Sequence, residues 1–534
     1  MVTASRAGAG DGEPLGSPEH GSARLKDVPM IRRHTIGDLL RRSAARHPSK
    51  TAIVYGDVRQ NYADLDLMVN RTANALAARG VGKGDRFAVL SHNNHAFVVA
   101  YFALARLGAI SVPINFMLGS DEVAYILEHS GATGMLVEEG LLPVAAAAAG
   151  PRVAVRGVIG AAGDGWEPFA AWTACDDASE PQVDIADDDP IQLMYTSGTE
   201  SRPKGATLSS RSLISQYVTC VADGEMSPDD VEVHALPLYH CAQLHCFLTP
   251  GIYLGATNII LPGAAPAVIL ATIEGERATK LFCPPTVWIG LLRHPDFGRR
   301  DLSSLRKGYY GASIMPVEVL KEIATRLPEV RLFNFYGQTE MAPVATILGP
   351  DEQLTRLGSA GRPALNVETR IVDDEDRPVP PGVVGEIVHR SPHAMLGYWN
   401  DPGKTEEAFR GGWFHSGDLG VMDADGYLSV VDRKKDMIKS GGENVSSREV
   451  EEAIYQHPEV AEAAVFGVRD ERWIEAVTAA VVLREGAGVT AEELIVFLRE
   501  RLAAFKTPKR VVFVESLPKN ASGKVLKREL RDRF

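Results

Sequence analysis

The chain has 534 residues, 45% of them hydrophobic and 23% charged, which suits a globular protein with more than one hydrophobic core. Its formal net charge of −13 argues against a general affinity for nucleic acid or for an anionic membrane surface. Five cysteines without a Cys-x-x-Cys pair are typical of the reducing cytoplasm and argue against a disulfide framework.

The predicted elements begin after a tail. Residues 1–30 are rich in Gly, Ala, Ser and Pro without an apolar run, which predicts a disordered segment and not a signal peptide. A helix is expected over Ile36–Arg46. A charged residue and a glycine interrupt Phe97–Ile114, so this stretch is expected to be a buried helix followed by a strand and not a membrane span. Strands and helices then alternate to about residue 360, which predicts an α/β fold of doubly wound sheets.

The segment at residues 195–205 reads Tyr-Thr-Ser-Gly-Thr-Glu-Ser-Arg-Pro-Lys-Gly. The apolar run Ile191–Met194 before it predicts a buried parallel strand, and a helix is expected after the candidate N-caps Ser209 and Ser210. Small hydroxyl residues and glycine between a strand and a helix are typical of loops that cradle phosphate, with Lys204 supplying a charge. The segment is not a Walker A loop, and a flexible surface loop is the alternative.

Two groups of residues offer metal-ligand side chains. His240, Cys241, His245 and Cys246 are close in sequence, but neighbouring His-Cys pairs point in different directions and lack the usual ligand spacing, which disfavours zinc. The acidic run 187–189 is more typical of a solvated surface.

The last third of the chain contains two further units. Short strands punctuated by Pro and Gly over Thr369–Val421 predict a β-rich subdomain. Beyond residue 432, capping-box patterns at Ser446 and at Thr490 each open an apolar-periodic helix. Strands are expected around Ala463–Val468, Thr478–Leu483 and Val511–Val514. These elements predict a compact α+β unit.

Four motifs complete the pattern that begins at residue 195. Residues 334–340 read Asn-Phe-Tyr-Gly-Gln-Thr-Glu, and residues 413–418 read Trp-Phe-His-Ser-Gly-Asp. Residues 432–444 read Asp-Arg-Lys-Lys-Asp-Met-Ile-Lys-Ser-Gly-Gly-Glu-Asn, and residues 518–524 read Pro-Lys-Asn-Ala-Ser-Gly-Lys. In this order and spacing they resemble the adenylate-forming superfamily of acyl- and aryl-CoA synthetases, peptide-synthetase adenylation domains and firefly luciferase. The resemblance runs from about Thr35 to the C-terminus.

The resemblance implies a fold and a reaction. It implies a large AMP-binding domain over residues 31–431, which holds the acyl and ATP sites, and a small mobile domain over residues 432–534. A carboxylate would attack the α-phosphate of ATP to form an acyl adenylate and pyrophosphate, and the thiol of CoA would then displace AMP. ATP, Mg²⁺ and CoA are the cofactors implied. Such chemistry needs charge neutralisation and positioning.

The resemblance also assigns the nucleotide site. The residues expected around ATP and AMP are Thr196, Ser197, Gly198, Thr199, Lys204, Gly311, Ala312, Ser313, Tyr336, Gly337, Thr339, Asp418, Arg433 and Lys524. Tyr336 would lie against the adenine, and Asp418 would accept hydrogen bonds from the ribose hydroxyls. Thr339 would bond the α-phosphate, and Glu340 would hold Mg²⁺. Most members have Thr-Gly where this chain has Glu200-Ser201, a departure that predicts an altered grip on the phosphates.

Lys524, Thr339 and Glu340 are the catalytic residues implied. The ammonium of Lys524 would bridge the substrate carboxylate and the α-phosphate. For the CoA step, rotation of the small domain about the hinge Asp432 would withdraw Lys524. The same rotation would bring in the segment with Lys439, Gly441, Gly442 and Glu443.

The acyl pocket is expected to involve His240 and Tyr310. The sequence shows no obvious Arg or Lys for this pocket, which favours a substrate whose acyl tail is uncharged. A medium- or long-chain fatty acid is the leading candidate. The alternatives are an aryl- or cinnamate-type CoA ligase, an acyl-AMP ligase that loads a carrier protein, and a nucleotide-binding regulator without catalysis. The expected partners are the acid, ATP and CoA. The sequence leaves open whether the protein forms a homodimer.

Overall fold

The structure is a computed structural model that describes residues 33–196, 203–313, 315–434, 436–440, 443–470, 472–520 and 523–534. His34–Phe534 form one compact unit. The tail predicted for residues 1–30 lies outside the described residues. Within the described ranges, no helix is both long and apolar enough to cross a bilayer.

Two large sheets, mostly parallel, make up most of the molecule. In order across the eight-stranded sheet the strands are β19 (Gly397–Tyr398), β9 (Lys204–Ser209), β8 (Pro190–Thr196), β4 (Ile110–Ile114), β3 (Arg86–Leu90), β5 (Gly134–Glu138), β6 (Val155–Ile159) and β7 (Glu167–Pro168). In order across the nine-stranded sheet they are β16 (Arg362–Pro363), β15 (Val344–Leu348), β14 (Arg331–Gly337), β13 (Lys307–Gly311), β12 (Lys280–Phe282), β10 (Val231–His234), β11 (Thr257–Ile260), β1 (Thr51–Tyr55) and β2 (Val58–Asn61).

Two smaller sheets follow in the C-terminal part of the chain. An antiparallel sheet contains β17 (Glu368–Val372), β18 (Gly385–Arg390), β20 (Phe414–Met422) and β21 (Leu428–Arg433). The last sheet contains β22 (Ile438–Ser440), β23 (Glu443–Val445), β24 (Val460–Asp470), β25 (Ile474–Leu483) and β26 (Arg510–Phe513). This last sheet packs with its helices around hydrophobic clusters of its own, which mark it as a separate, smaller domain.

Helices cover the faces of these sheets. They are α1 (Ile36–Arg46), α2 (Tyr62–Ala77), α3 (His95–Leu107), α4 (Ser120–Ser130), α5 (Leu142–Ala148), α6 (Phe169–Thr173), α7 (Ser210–Asp223), α8 (Thr249–Leu254), α9 (Pro266–Glu276), α10 (Pro285–Arg293), α11 (Val317–Arg326), α12 (Pro402–Ala408), α13 (Ser447–Tyr455), α14 (Ala491–Arg499) and α15 (Lys527–Arg533). A π-helical segment, Ala242–Leu248, precedes α8. The largest core joins α1, α2 and α3 to both large sheets.

The predicted fold class is confirmed: doubly wound sheets, a β-rich subdomain and a smaller α+β domain are all present. The helix expected over Ile36–Arg46 is confirmed with the same bounds. The stretch Phe97–Ile114 contains most of α3 and all of β4, and α3 is buried almost all round, which explains its apolar sequence without a membrane.

The element after the phosphate loop differs from the prediction. β8 ends at Thr196, and the next described element is β9, which pairs antiparallel with β8. Only then does α7 begin, which Ser209 caps by accepting a hydrogen bond from the backbone N–H of Ser212. β8 is parallel to β4 on its other side. Residues 205–209 are small or β-branched, apart from one leucine, and are buried, so they satisfy their backbone groups as a strand before the helix begins.

The two predicted capping boxes have different outcomes. Thr490 and Glu493 form the reciprocal pair at the start of α14. Ser446 caps α13 by accepting from the N–H of Glu449, but the carboxylate of Glu449 pairs with Lys506 at 2.7 Å instead of returning to the cap. The ion pair therefore replaces the second half of that box.

Candidate functional site

A cavity of about 640 Å³ lies at the carboxyl ends of strands from both large sheets, where the C-terminal domain meets them. This is where ligands bind in open parallel sheets. Of the residues predicted from sequence, the ones that line it are Thr196, Lys204, His240, Ala312, Tyr336, Gly337, Thr339, Glu340, Arg433 and Lys524. With His415, Ser416 and Gly417, which also line the cavity, residues from all five motifs meet there.

Other predicted residues lie elsewhere. Gly311 ends β13 beneath the cavity, where a Cβ would come within 2.3 Å of the carbonyl oxygen of Phe335. Ser313 is exposed and does not line the cavity. Ser197, Gly198, Thr199 and Gly441 with Gly442 lie outside the described residues, as do Glu200 and Ser201.

A tyrosine, a carboxylate and a guanidinium are joined at one end of the cavity. The hydroxyl of Tyr336 donates to Asp418 Oδ2 at 2.7 Å, and Arg433 Nε lies 3.2 Å from Asp418 Oδ1. Asp418 and Arg433 face each other across β20 and β21, so the sheet register sets this contact. Burial and the charge of Asp418 raise the pKa of Tyr336 well above its usual value, which keeps the hydroxyl a donor.

The turn after β14 presents a hydroxyl and a carboxylate to the cavity. Thr339 Oγ1 lies 3.1 Å from Cys241 Sγ, and Glu340 Oε1 accepts a hydrogen bond from the hydroxyl of Tyr398 at 2.9 Å. Within the described residues, no group of three or more His, Cys, Asp or Glu side chains is placed to hold a metal ion. A single carboxylate fits Mg²⁺, which proteins usually hold through one or two carboxylates and the substrate's phosphates.

The cysteine and histidine cluster does not form a zinc site. Both ring nitrogens of His245 are already engaged, Nδ1 with the hydroxyl of Tyr217 at 2.7 Å and Nε2 with Gln192 Oε1 at 2.6 Å. Burial lowers the pKa of His245 to about 3 and raises the pKa of the Cys241 thiol to about 12, so the thiol stays protonated. His245 and Cys241 are therefore hydrogen-bonding and packing groups.

Lys524 reaches the cavity from a turn of the C-terminal domain. The turn is closed by a hydrogen bond from the N–H of Lys524 to Asn520 Oδ1 at 2.9 Å, and it is docked by Thr286 Oγ1, which donates to the carbonyl of Gly523 at 3.1 Å. Gly523 has φ of +80°, and a Cβ there would lie 2.8 Å from Thr286 Oγ1, so the contact requires glycine.

The charges around Lys524 change its ionisation. The guanidinium of Arg433 is the main cause that lowers the pKa of Lys524 from 10.5 to about 8. Burial, with a smaller contribution from the Lys524 charge, lowers the pKa of His240 to about 4, so this imidazole is neutral near pH 7. Among the residues that line the cavity, Lys524 is therefore a cation with a lowered pKa that lies beside a neutral histidine.

This pKa predicts a pH dependence. Lys524 is charged below about pH 8 and neutral above it. For the acyl-AMP formation that the sequence resemblance implies, kcat/KM should therefore fall about tenfold per pH unit above that value. The measurement is the pH profile of pyrophosphate release at low substrate concentration. Lys524→Arg keeps a charge at every accessible pH, so the fall of kcat/KM on the alkaline side of the profile should disappear in this variant. An unchanged alkaline limb in that variant would assign it to another group.

The apolar end of the cavity is closed by aromatic rings. Phe247, Phe282 and Phe335 line it, and the ring of Phe247 stacks on Phe282 with centroids 4.3 Å apart and on Phe335 at 5.7 Å. We call these three residues the aromatic wall. The ammonium of Lys280 lies 5.3 Å from the centroid of the Phe247 ring and 2.9 Å from Glu232 Oε2. This ion pair is at most 1% exposed.

The structure moves Tyr310 out of the acyl pocket. Its ring belongs to the second core cluster and its hydroxyl donates to Gln353 Oε1 at 2.8 Å. The neighbouring Tyr309 lies on the opposite face of β13, against Phe247 and Phe335. Adjacent residues of a strand point to opposite faces, and the sequence alone does not reveal which of the two tyrosines lies on the face of the sheet that carries Phe247 and Phe335.

The residues expected for the CoA step and the hinge are away from the cavity lining. Lys439 and Glu443 are exposed on the β22–β23 hairpin. Asp432, at the end of β21, is 9% exposed, and its Oδ2 accepts from the N–H and the hydroxyl of Ser447 at 2.7 and 2.9 Å. The expected hinge residue is therefore tied to the first residue of α13.

Sequence reasoning missed Tyr398 and two residues of the aromatic wall, Phe282 and Phe335. Tyr398 lies on β19, whose two residues pair with β9, and its ring and hydroxyl both face the site. The signal was only a Gly-Tyr-Trp run before Asn-Asp-Pro. The wall comes from three distant segments, and no local pattern unites them.

Comparisons with known proteins identify close relatives. The "AMP-binding enzyme" family model matches residues 40–399, and the "AMP-binding enzyme C-terminal domain" model matches residues 449–524. A feruloyl-CoA synthase of Amycolatopsis is 39% identical over 94% of this chain and 100% of its own length. A long-chain-fatty-acid–CoA ligase of Mycobacterium tuberculosis is 34% identical, covering 93% and 98%. The crystal structure of an anthranilate CoA ligase with anthranoyl-AMP has a TM-score of 0.88 and 28% identity, covering 95% and 98%.

Proposed function

Because this chain belongs to the AMP-binding enzyme family of adenylate-forming acid–thiol ligases, we propose that it joins to CoA a carboxylic acid whose acyl tail is uncharged and apolar. An aryl acid is the preferred substrate. The observation that carries the substrate choice is the aromatic wall at the end of the acyl cavity. ATP and CoA are the co-substrates of the family, and Mg²⁺ is the cation that suits the Glu340 carboxylate.

The first half-reaction forms the adenylate. An oxygen of the acid attacks the α-phosphorus of ATP, the bond from that phosphorus to the bridging oxygen breaks, and pyrophosphate leaves. Lys524 neutralises the charge that builds up where the two anions meet, and Thr339 donates to the α-phosphate. Tyr336, Asp418 and Arg433 support the adenine and the ribose, which keeps the α-phosphate in line with the acid.

The second half-reaction forms the thioester. The sulfur of CoA attacks the acyl carbon, the bond from that carbon to the AMP oxygen breaks, and the thiol proton passes to solvent. Lys524 occupies the cavity while Lys439 is away from it, which supports an adenylate-forming arrangement. Rotation of the domain beyond Asp432 would exchange the two segments.

The aromatic wall supports a short, flat acid over a long alkyl chain. Phe247 is fully buried, and the Lys280–Glu232 ion pair lies against the ring. A long chain could pass only if Phe247 moved and exposed or broke this pair, and breaking a buried ion pair costs about 3–5 kcal/mol. An aryl ring needs no such movement and can stack on the wall.

A medium-chain fatty acid is the second candidate, and the apolar lining together with the relative named as a long-chain-fatty-acid–CoA ligase favours it. The test is mass spectrometry of pyrophosphate, acyl-AMP and thioester over ferulate, anthranilate, benzoate and fatty acids of six to sixteen carbons, with and without CoA. Highest kcat/KM for an aryl acid supports the proposal. Highest kcat/KM for a fatty acid supports the second candidate. Acyl-AMP without thioester would indicate a carrier protein as the acceptor.

A variant tests the wall itself. Phe247→Leu shortens the ring that closes the pocket, so kcat/KM for a ten-carbon acid should rise relative to an aryl acid by about tenfold, the discrimination that one small group in an apolar pocket provides. Phe333→Leu is the matched control, since Phe333 is equally buried in the same core but does not line the cavity. An equal shift in both variants would contradict the role of the wall.

A further inference from the structure

A short backbone segment connects β9 to the turn that carries Glu340, at the end of the cavity where the phosphates of ATP are expected to bind. We call residues 395–399 the strap. The N–H of Met395 donates to the carbonyl of Glu340 at 2.8 Å, and the N–H groups of Leu396 and Trp399 donate to the carbonyls of Thr207 and Gly205, also at 2.8 Å. The strap therefore links the turn that carries Glu340 to β9, the strand that begins with Lys204.

The side chain of Tyr398 repeats this link with polar groups. Its hydroxyl donates to Glu340 Oε1 at 2.9 Å, and the ammonium of Lys204 lies 5.3 Å from the centroid of its ring. Its own N–H is fixed by Thr405 Oγ1 at 2.9 Å, and the ring is half-buried. One rigid side chain thus contacts both a carboxylate and a cation that line the cavity.

We propose that Tyr398 is a positioning residue that holds the Glu340 carboxylate and the Lys204 ammonium in one fixed arrangement for a divalent cation bound to a nucleoside triphosphate. This rests on the proposed function, in which Glu340 holds the cation. A carboxylate with one oxygen fixed by a hydrogen bond loses rotational freedom before the cation arrives. A lysine beside a ring face is held in place by the attraction between its charge and the ring.

The two contacts can be separated by substitution. Tyr398→Phe keeps the ring beside Lys204 and removes only the hydroxyl, whereas Tyr398→Leu removes both. The first change should weaken cation binding and leave the affinity for metal-free nucleotide unchanged. The second should weaken both. If Tyr398 had only a structural role, the affinity for the cation and the affinity for metal-free nucleotide would change together. Tyr398→Phe and Tyr398→Leu would then either lower both affinities or leave both unchanged.

The measurement is Mn²⁺ binding by electron paramagnetic resonance with a non-hydrolysable ATP analogue, in the absence of acid and CoA. Tyr398→Phe should raise the dissociation constant of Mn²⁺ about tenfold, the effect of one hydrogen bond to a charged acceptor. The Mg²⁺ concentration for half-maximal pyrophosphate release should rise in parallel. Tyr427→Phe is the matched control, because Tyr427 also donates to a glutamate, Glu352, but lies outside the cavity lining.

The outcomes separate this inference from the function on which it rests. An unchanged Mn²⁺ dissociation constant in Tyr398→Phe, with normal binding by the unsubstituted protein, overturns the inference and leaves the ligase intact. Failure of the unsubstituted protein to bind the Mn²⁺–nucleotide complex overturns both. A thermal unfolding midpoint equal to that of the unsubstituted protein verifies that each variant is folded.

Discussion

Lys524→Ala is expected to abolish acyl-AMP formation while the chain keeps its ability to pass a supplied acyl group to CoA. In the proposed reaction the ammonium neutralises the charge where the substrate carboxylate and the α-phosphate meet, and it lines the cavity together with a neutral His240. Loss of one preorganised charge of this kind lowers a rate by about 10²–10³-fold. The transfer step needs no such bridge, so its rate should change little.

Two assays on the same preparation measure this difference. The first follows pyrophosphate release from ATP and acid, and the second follows thioester formation from synthetic acyl-AMP and CoA. Lys519→Ala is the matched control, because Lys519 lies on the same segment but pairs with Glu462 and does not line the cavity. Equal loss in both assays would mean that Lys524 supports the fold of the domain and not the first step.

Asp432→Pro is expected to stop the second step far more than the first. Proline fixes φ near −65°, so the chain could no longer turn at this position, and transfer from acyl-AMP to CoA should fall about 100-fold, as it does when a catalytic segment is misplaced. The adenylate-forming arrangement of the structure does not need the turn. The same paired assays measure both steps.

The control for this variant is Asp432→Ala. Both substitutions remove the carboxylate that accepts two hydrogen bonds from Ser447. Any difference between them therefore reports the backbone at this position, where proline fixes φ and also removes the N–H. If the alanine variant loses transfer as strongly as the proline variant, the carboxylate and its contact with α13 matter, and Asp432 is an anchor and not a hinge.

The sequence predicted the polar residues of the site better than the apolar ones. Tyr336, near the end of β14, and Thr339 with Glu340, on the turn that follows, are close in sequence, so a short local motif is enough to identify them. Phe247, Phe282 and Phe335 come from a π-helical segment and two strands, and they meet only through the packing of the nine-stranded sheet. Aromatic residues also fill ordinary cores, so their sequence positions carry no functional signal.

The same limit applies to the backbone around the site. A strand after the phosphate loop could not be distinguished from the first turn of a helix, since residues 205–209 are few and lack a period. Tyr398 is one aromatic residue on a two-residue strand, and its contact with Glu340 spans 58 positions. Contacts of this kind depend on sheet order, which local patterning does not encode.

The ion pair behind the aromatic wall also constrains how this pocket can evolve. A mutation of Lys280 or Glu232 alone would leave an unpaired charge at a site at most 1% exposed, at a cost of about 3–5 kcal/mol. A lineage could therefore extend the pocket past this ion pair only by changing both residues, with the first change selected against until the second occurs. The rings in front of the pair face no such barrier. Divergence in substrate range should accordingly be found at Phe247 and its neighbours while the two charges behind them persist together.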